Sequence, residues 1–408
     1  MQKAASATNR RNLLLLAFSL VVVMLGFGMV IPILPFYIKQ FNAGGSALGA
    51  LVAIAALTEF LFGPFWGSLS DRTGRKPILM IGLLGYGLSM LLFGLSTELW
   101  MLFASRALSG VLSSATLSTA MAYIGDSTSQ KERGGGMGIL GASAGAGTII
   151  GPGLGGLLAG DSLSTPFFIG AGLSILSLVL ITLFLPESLP VAMRRAPDGK
   201  LQLVNFGDLW RGITSPIGFL FFLALLATLG TSNFESIYSL YIVNKMNSTP
   251  EQVGAILTVV GVVALVGRGL LTGLFTRRWG EPSVIKASLL MAAAGFVFLL
   301  LAETYLSIFL TTGFFVFATT FLRPSIHSLT SQRSTVGQGT ALGLSNAFVS
   351  LGRIAGSLCA GALFDAGMDY PYYSGIVILI VCLALSLVFI QPSRKGSITP
   401  WRETQKQE

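Results

Sequence analysis

Twelve long apolar runs constrain this chain more than any other feature. The runs lie near residues 13–38, 48–70, 77–96, 99–124, 135–160, 165–185, 216–242, 250–275, 283–302, 305–328, 339–364 and 371–391. Each has about 20 residues or more, enough for an α-helix to cross roughly 30 Å of hydrocarbon. Only 11% of the 408 residues are charged, whereas soluble domains carry about 25%. The sequence therefore predicts an all-α integral membrane protein with twelve transmembrane helices in a lipid bilayer.

The basic residues predict how the chain is oriented. If the N-terminus is cytoplasmic, twenty of the 26 Lys and Arg residues flank the runs on that side, and only Lys39 and Lys245 fall on the other. An excess of Lys and Arg marks cytoplasmic loops. The first run is long and lacks a cleavage site, so we expect a retained helix. We expect a multi-pass protein of the bacterial cytoplasmic membrane, with both termini in the cytoplasm.

Missing residue types exclude several classes of function. The chain has a single histidine, His327, and two cysteines that both lie in apolar runs, so metal chemistry and a histidine-based triad are not expected. No lysine is followed by Ser or Thr, which excludes a Walker A loop. The net charge of +9 is mostly orientation signal. We therefore expect no enzyme, no cofactor, no metal, and neither nucleotide nor nucleic acid as a partner.

The two halves of the chain repeat one another. Residues 186–215 are rich in prolines and charges, and we interpret them as a cytoplasmic linker between six-helix bundles at 1–185 and 216–408, the second ending in a short tail. The segment "GSLSDRTGRKP" at 67–77 is repeated as "GLFTRRWGEP" at 273–282. Such a duplication predicts two bundles related by a pseudo-two-fold axis, with a substrate path between them.

Four motifs resemble those of one transporter family. They are "LGFGMVIPILP" at 25–35, "GSLSDRTGRKP" at 67–77, "SRALSG" at 105–110, and the spaced glycines and proline Gly138, Gly147, Gly151, Pro152, Gly155 and Gly156. Together they resemble the 12-span drug:proton antiporter family of the major facilitator superfamily. In the second half, "NFESIYSLYIVNK", "FLRPSI" and "GALFDAG" resemble NorA/Bmr-type multidrug efflux pumps. Those pumps have an acid where this chain has Thr320, so a two-acid coupling scheme in the second half is not supported.

The resemblance implies a function. It implies the fold of that superfamily and proton-coupled antiport, in which hydrophobic and often cationic drugs are exported by alternating access. The partners would be protons and a small hydrophobic substrate, and we expect a monomer. The alternatives are a lipid or glycolipid flippase or a metabolite exporter with the same mechanism, and, in another class, a non-transporting sensor or a channel.

The glycine-rich stretch "GTIIGPGLGGLLAG" at 147–160 contains the pattern G-x-G-x-x-G. A dinucleotide loop would need a preceding strand, and the residues before this stretch continue a small-residue helix. Gly147, Gly151 and Gly155 recur every four residues, which favours close packing of helices. The alternatives are plain packing or, as the resemblance to the antiporter motif implies, a face that blocks a proton leak and on which the two bundles rock.

Six ionisable residues fall inside the apolar runs. They are Glu59, Arg106, Glu235, Arg268, Arg323 and Arg353. At 1.5 Å per residue, Glu59 lies about 18 Å from the inner end of its run and Glu235 about 15 Å from the outer end of its own. A carboxyl group removed from water favours its protonated form, so both are candidate proton carriers. The alternative is that each forms a permanent ion pair with an embedded arginine.

The resemblance assigns roles to these charges. It implies that Glu235 is the principal proton carrier. The depth of Glu59 and its place on the second helix make it a second carrier or a cation-recognition group. Arg106 resembles an arginine proposed to tune proton transfer, the alternative being a hydrogen-bond donor between helices. Arg323 resembles the helix 10 arginine of the NorA type, which we group with the proton-coupling residues.

Two further groups complete the predicted site. The resemblance implies a cytoplasmic gating motif, in which the aspartate lies near a helix N-terminus of the other half; its residues are Asp71, Arg72, Gly74 and Arg75. The alternative is a solvated turn. An aromatic cavity for flat cations is predicted from Phe234, Tyr238, Tyr241, Phe317, Phe321, Asn346 and Phe348.

Overall fold

Twelve membrane-length helices form the molecule. The computed structural model describes residues 2–128, 130–160, 162–194, 204–334 and 337–390, and in these ranges twelve helices are long and apolar enough to span a membrane. We number them α1 (Gln2–Gln40), α2 (Gly45–Thr73), α3 (Arg75–Gly94), α4 (Leu99–Ser127), α5 (Gln130–Leu158), α6 (Thr165–Phe184), α7 (Gly218–Met246), α8 (Pro250–Trp279), α9 (Glu281–Leu301), α10 (Tyr305–Arg333), α11 (Gln338–Ala366) and α12 (Tyr370–Phe389). The predicted fold class is confirmed.

Local sequence signals set where the helices begin and end. Thr249 and Gln252 form a capping box that starts α8, satisfying amides that have no partner within the helix. Gly74 follows α2 and Gly280 follows α8, with φ of 106° and 79°, in a region that favours glycine. The same residue type in the same unusual conformation recurs at matching places in both halves, which is the structural counterpart of the sequence repeat.

The segment between α6 and α7 contains a short amphipathic helix, Phe206–Ile213. The half-buried Leu209 packs towards α7 and α11, while Phe206 and Trp210 are exposed. Part of the predicted linker, residues 195–203, lies outside the described residues. The predicted C-terminal tail beyond residue 390 lies outside them as well.

Glycines bring helices together inside each half, which we define as α1–α6 and α7–α12. A Cβ atom on Gly147 would lie 2.6 Å from the Val21 carbonyl oxygen of α1, and one on Gly155 would lie 2.6 Å from that of Met29. In the second half, a Cβ on Gly356 of α11 would lie 2.7 Å from the Leu229 carbonyl oxygen of α7. Each half therefore uses the same small-residue packing of its fifth helix on its first.

The two halves meet at one end of the helices. We call the side where α1 begins and α12 ends the terminal side, and the opposite side the far side. On the far side α2 packs on α11, where a Cβ on Gly361 would lie 3.0 Å from the Cα of Ser46. There α5 also packs on α8, where a Cβ on Gly254 would lie 3.1 Å from the Cα of Gly156. The far side is closed by backbone against backbone.

Towards the terminal side the same four helices have open space around their glycines. A Cβ would meet no atom within 4 Å at Gly63 and Gly67 of α2, Gly138 and Gly141 of α5, Gly269 and Gly273 of α8, and Gly339 and Gly343 of α11. These helices touch the other half on the far side, so the two halves diverge from there. The structure therefore has a cavity that opens towards the terminal side.

Candidate functional site

A polar pocket lies in the second half, among α7, α8, α10 and α11. Its polar lining consists of Thr228, Thr231, Glu235, Arg268, Thr319, Arg323 and His327. Its apolar lining consists of Ala224, Ala227, Leu322, Ile326 and Val349. Two of the predicted proton-coupling residues, Glu235 and Arg323, are thus brought together in one pocket.

Two interruptions of helical geometry position the arginines of this pocket. Arg268 lies in a π-helical turn of α8, Gly267–Leu271, a distortion that is frequent at functional sites. In α10 the regular helix breaks at Phe321, three residues before Pro324. A proline inside a helix removes one hydrogen bond and displaces the preceding turn. Arg323 therefore projects from a kink rather than from a regular turn.

Charges from both halves act on Arg323. It interacts electrostatically with Glu235, Arg268 and Arg353 of the second half and with Glu59 of the first. Among the described residues, none of these five forms an ion pair within 4 Å. Neither Glu59 nor Glu235 therefore forms the permanent ion pair that was the alternative prediction. In this conformation both carboxylates are available to other partners.

The side chains of the two glutamates are exposed, although their positions at the middle of the membrane predicted that they would be buried. Glu59 on α2 and Glu235 on α7 both have exposed side chains. The divergence of the halves towards the terminal side accounts for this exposure. In this conformation neither carboxylate is enclosed by the protein.

Arg106 lies apart from the pocket lining, in the interior of the first half. Its side chain is only 5% exposed, and its guanidinium lies 5.8 Å from the ring centroid of Phe27 and 5.7 Å from that of Phe93. Its Nε atom has no hydrogen-bond partner among the described residues. Aromatic faces attract cations, so the two rings stabilise the charge of Arg106. The family resemblance assigned this arginine to the tuning of proton transfer, the alternative being a hydrogen bond between helices.

Most of the predicted aromatic cavity lies in the core instead. Phe234, Tyr238, Tyr241, Phe321 and Phe348 are all buried, with at most 5% of each residue exposed. Their rings pack on other rings, as Phe234 does on Phe315 at 4.6 Å. Phe317 is half-buried, and Asn346 is exposed. This placement differs from the prediction because large rings gain most from contacts with neighbouring helices, and threonines line the pocket in their place.

The predicted gating motif binds residues of its own half. Arg75 pairs with Asp71 at 2.6 Å and with Asp126 of α4 at 2.8 Å. Glu187, which follows α6, accepts hydrogen bonds from the amides of Arg75 at 2.8 Å and Lys76 at 3.2 Å. These contacts link α2, α3, α4 and the end of α6. The predicted approach of Asp71 to a helix of the other half is not present in this conformation.

Sequence reasoning missed Glu187 and Asp126. One signal was available for Glu187, because α3 starts directly after Gly74, which has no side chain to cap a helix. A helix start without its own cap requires an acceptor from elsewhere. For Asp126 no comparable signal exists, since its partner Arg75 is 51 residues away in the sequence. Arg72 is half-buried beside this network.

The glycine motif of α5 has two faces. Gly147, Gly151 and Gly155 pack on α1 within the first half, whereas a Cβ on Gly156 would contact the backbone of Pro250 and Glu251 in α8. The carbonyl oxygen of Pro152 lies on this second face too, against Gly254. Of the motif residues, Pro152 and Gly156 therefore face the other half, and the four-residue stripe does not. Gly138 lies in open space towards the terminal side.

Known proteins resemble this chain along nearly its whole length. The sequence profile described as Major Facilitator Superfamily matches residues 16–219 and again residues 220–407. Multidrug resistance protein 2 of Bacillus subtilis (strain 168) is 34% identical over 378 residues, 92% of this chain and 94% of that protein. Quinolone resistance protein NorA of Staphylococcus aureus (strain COL) is 29% identical over 381 residues, 93% and 96% of the two chains. The crystal structure of a bacterial homologue of the human lysosomal transporter Spinster superposes with a TM-score of 0.76 at 17% identity, covering 94% and 97%.

Proposed function

This chain belongs to the Major Facilitator Superfamily, and we propose that it exports hydrophobic drugs in exchange for protons by alternating access. It is a multi-pass membrane transporter rather than an enzyme. The names of its relatives, multidrug resistance protein 2 and quinolone resistance protein NorA, support drugs as the cargo. The observation that carries the proposal is the exposed carboxylate of Glu235, which lies in one pocket with Arg323. Around this pocket the two halves diverge towards the terminal side.

The open side is the cytoplasmic side in this proposal. The excess of Lys and Arg in the loops of the terminal side supports this orientation, because such loops stay in the cytoplasm. The conformation described here is then the one that loads cargo from the cell. Closure of the terminal side and separation of the far side would expose the same pocket to the exterior.

Exchange follows from competition at Glu235. An ionised carboxylate attracts the cationic group of a drug, whereas a protonated one does not, so the site holds either a proton or the drug. The acidic exterior favours protonation and release, and the cytoplasm favours loss of the proton and loading. Coupling requires that each ligand bind the two conformations with different affinity. When neither ligand is bound, the positive charge of Arg323 balances the ionised Glu235 across the pocket without a direct ion pair.

The other predicted residues have supporting roles in this scheme. Glu59 acts on Arg323 from the opposite half, so it is a second carrier or a recognition group. The cavity charges comprise three arginines and two glutamates, and a drug with both an acidic and a basic group would therefore fit as well as a cation. The glycine seam between α5 and α8 is the surface on which the halves rock, and the Asp71–Arg75 network holds the terminal end of the first half together.

The test is dye transport by Glu235→Gln in inside-out membrane vesicles with an imposed pH gradient. The parent protein should accumulate a cationic dye when the lumen is acidic, and dissipation of the gradient should release it. The variant should still bind the dye but lose the response to the gradient. Glu98→Gln, which removes an exposed acid from the far side outside both seams, is the matched control. Gradient-driven uptake by Glu235→Gln at the parent rate would contradict the assignment, and gradient-driven uptake of lipids or sugars without dyes would favour the flippase or metabolite exporter.

A further inference from the structure

One carboxylate on the far side joins the two halves directly. Asp365, at the end of α11, accepts hydrogen bonds from the backbone amides of Gly45 at 2.5 Å and Ser46 at 2.8 Å. These amides form the start of α2, in the other half. A negative charge at a helix N-terminus is stabilised both by the free amides and by the helix dipole.

The start of α2 has no cap of its own. Its N-cap residue is Gly44, and no side-chain cap is present there. The start of α8, which lies in the other far-side seam, is satisfied by its own capping box of Thr249 and Gln252. Separation of the halves would therefore leave the amides of α2 without their protein acceptor but would leave the cap of α8 intact. Of these two helix starts, only that of α2 has a cap that requires the two halves to be in contact on the far side.

The backbone around this contact is built for close approach. A Cβ on Gly44 would meet the Asp365 carboxylate at 2.5 Å, and one on Gly45 would meet the ring of Phe364 at 2.8 Å. One turn further, a Cβ on Gly49 would collide with the Ser357 carbonyl oxygen. Gly44 just before α2, and Gly45 and Gly49 within it, thus allow the end of α11 to reach the amides of α2. Larger residues there would hold the carboxylate away.

We propose that Asp365 is the latch of the far-side gate and that its bond to the start of α2 stabilises the conformation open to the terminal side. The proposal rests on the alternating access of the proposed function. The latch forms when the far side closes and breaks when it opens, so it biases the cycle without contacting cargo. Asp365 is in this sense a positioning residue for transport.

The expected effect is modest because the carboxylate is exposed. Loss of a helix cap is worth about fivefold in a conformational equilibrium, which corresponds to ~1 kcal/mol. Asp365→Ala should therefore shift the ratio of the two conformations about fivefold towards the one open on the far side. Asp365→Asn keeps an oxygen acceptor but loses the charge, so its shift should be smaller and in the same direction.

The experiment measures distances between paired spin labels in the full-length protein. One pair reports the far side, at Gln40 of α1 and Tyr370 of α12, and a second pair reports the terminal side, at Ile139 of α5 and Leu274 of α8; all four side chains are exposed. The background replaces Cys359 and Cys382. In Asp365→Ala the far-side pair should gain a longer distance and the terminal-side pair a shorter one.

Asp369→Asn is the matched control. It also removes a far-side acid, but the electrostatic partners of Asp369, Tyr241 and Lys245, lie in its own half. Distance distributions in both Asp365 variants that equal those of Asp369→Asn would overturn the latch. If the parent protein shows no second distance with dye or at any pH, alternating access itself fails, which is a separate result. If Asp365→Ala does not insert into the membrane, the distances are measured in Asp365→Asn instead.

Discussion

Gly156→Ala places a methyl group between the two halves of the transporter. The added Cβ would collide with the carbonyl oxygen of Pro250 and lie 3.1 Å from the Cα of Glu251. Both contacts are backbone atoms of α8, which cannot rotate away as a side chain can. We therefore expect α5 and α8 to separate on the far side, so that the conformation described here becomes less stable.

The size of the effect follows from the cost of overpacking. Inserting a methyl group into a tightly packed contact costs about 1–3 kcal/mol, and ~2 kcal/mol corresponds to a shift of roughly 30-fold in the ratio of two states. The cost applies only while the halves touch at Gly156, so the conformation open on the far side in the proposed cycle would avoid it. The variant should therefore insert and melt like the parent protein, yet populate the other conformation.

Two alanine substitutions on the same helix are matched controls. Gly141→Ala adds the same methyl group where no atom lies within 4 Å, so it should change neither conformation nor stability. Gly151→Ala adds it within the first half, where the Cβ would lie 2.8 Å from the Cα of Gly28. Because that contact lies within one half, which moves as a unit in the proposed cycle, the substitution should lower the melting temperature without a shift between the conformations.

The assay combines the far-side spin-label pair with thermal unfolding in detergent. The reasoning predicts a longer far-side distance for Gly156→Ala alone and a lower melting temperature for Gly151→Ala alone. It is refuted if Gly156→Ala retains the distances of the parent protein, or if both substitutions lower the melting temperature equally. In the first case the contact between α5 and α8 would not influence the proposed change between the two conformations.

Three further predictions concern single contacts. Glu187→Ala should lower the stability of the first half by about 1–3 kcal/mol, because it leaves the amides at the start of α3 without an acceptor; Glu187→Gln is the milder control in thermal unfolding. Lys76→Met and Lys286→Met should each lower the free energy of unfolding by about 1 kcal/mol. Each lysine donates a hydrogen bond to a backbone carbonyl near the end of its half, Lys76 to Thr182 at 2.8 Å and Lys286 to Ile390 at 2.7 Å. Clearly different losses of melting temperature in the two variants would contradict this expectation. Tyr238→Phe should cost about 1 kcal/mol through the lost hydrogen bond to Thr312 and leave the range of exported dyes unchanged, since the ring is buried; an altered dye range would place it at the pocket.

The sequence by itself determined the secondary structure and the family. Hydrocarbon offers no hydrogen bonds to the backbone, so an apolar run of sufficient length has no stable choice but a helix. The repeated turn also followed from local chemistry, because Gly74 and Gly280 adopt backbone conformations that favour glycine. The central depth of Glu59 and Glu235 followed from residue counts along their helices. These properties depend on neighbours within a few residues.

Only the tertiary structure decided which neighbour each side chain meets. The helical period places Gly151 and Gly156 on different faces of α5, but it does not say that one face meets α1 and the other α8. An apolar helix in a bundle has no polar face to orient it, so the rings of Phe234 and Tyr238 were as compatible with a cavity as with the core where they lie.

The same limit applies to contacts between distant residues. Asp365 caps a helix that begins 320 residues earlier, and Arg268 and Arg323 meet in one pocket through a π-helical turn and a kink in separate helices. Such pairings arise from how the two halves dock on the far side and how far they diverge towards the terminal side. That docking is set by the packing of many helix surfaces together, which no short stretch of the sequence contains.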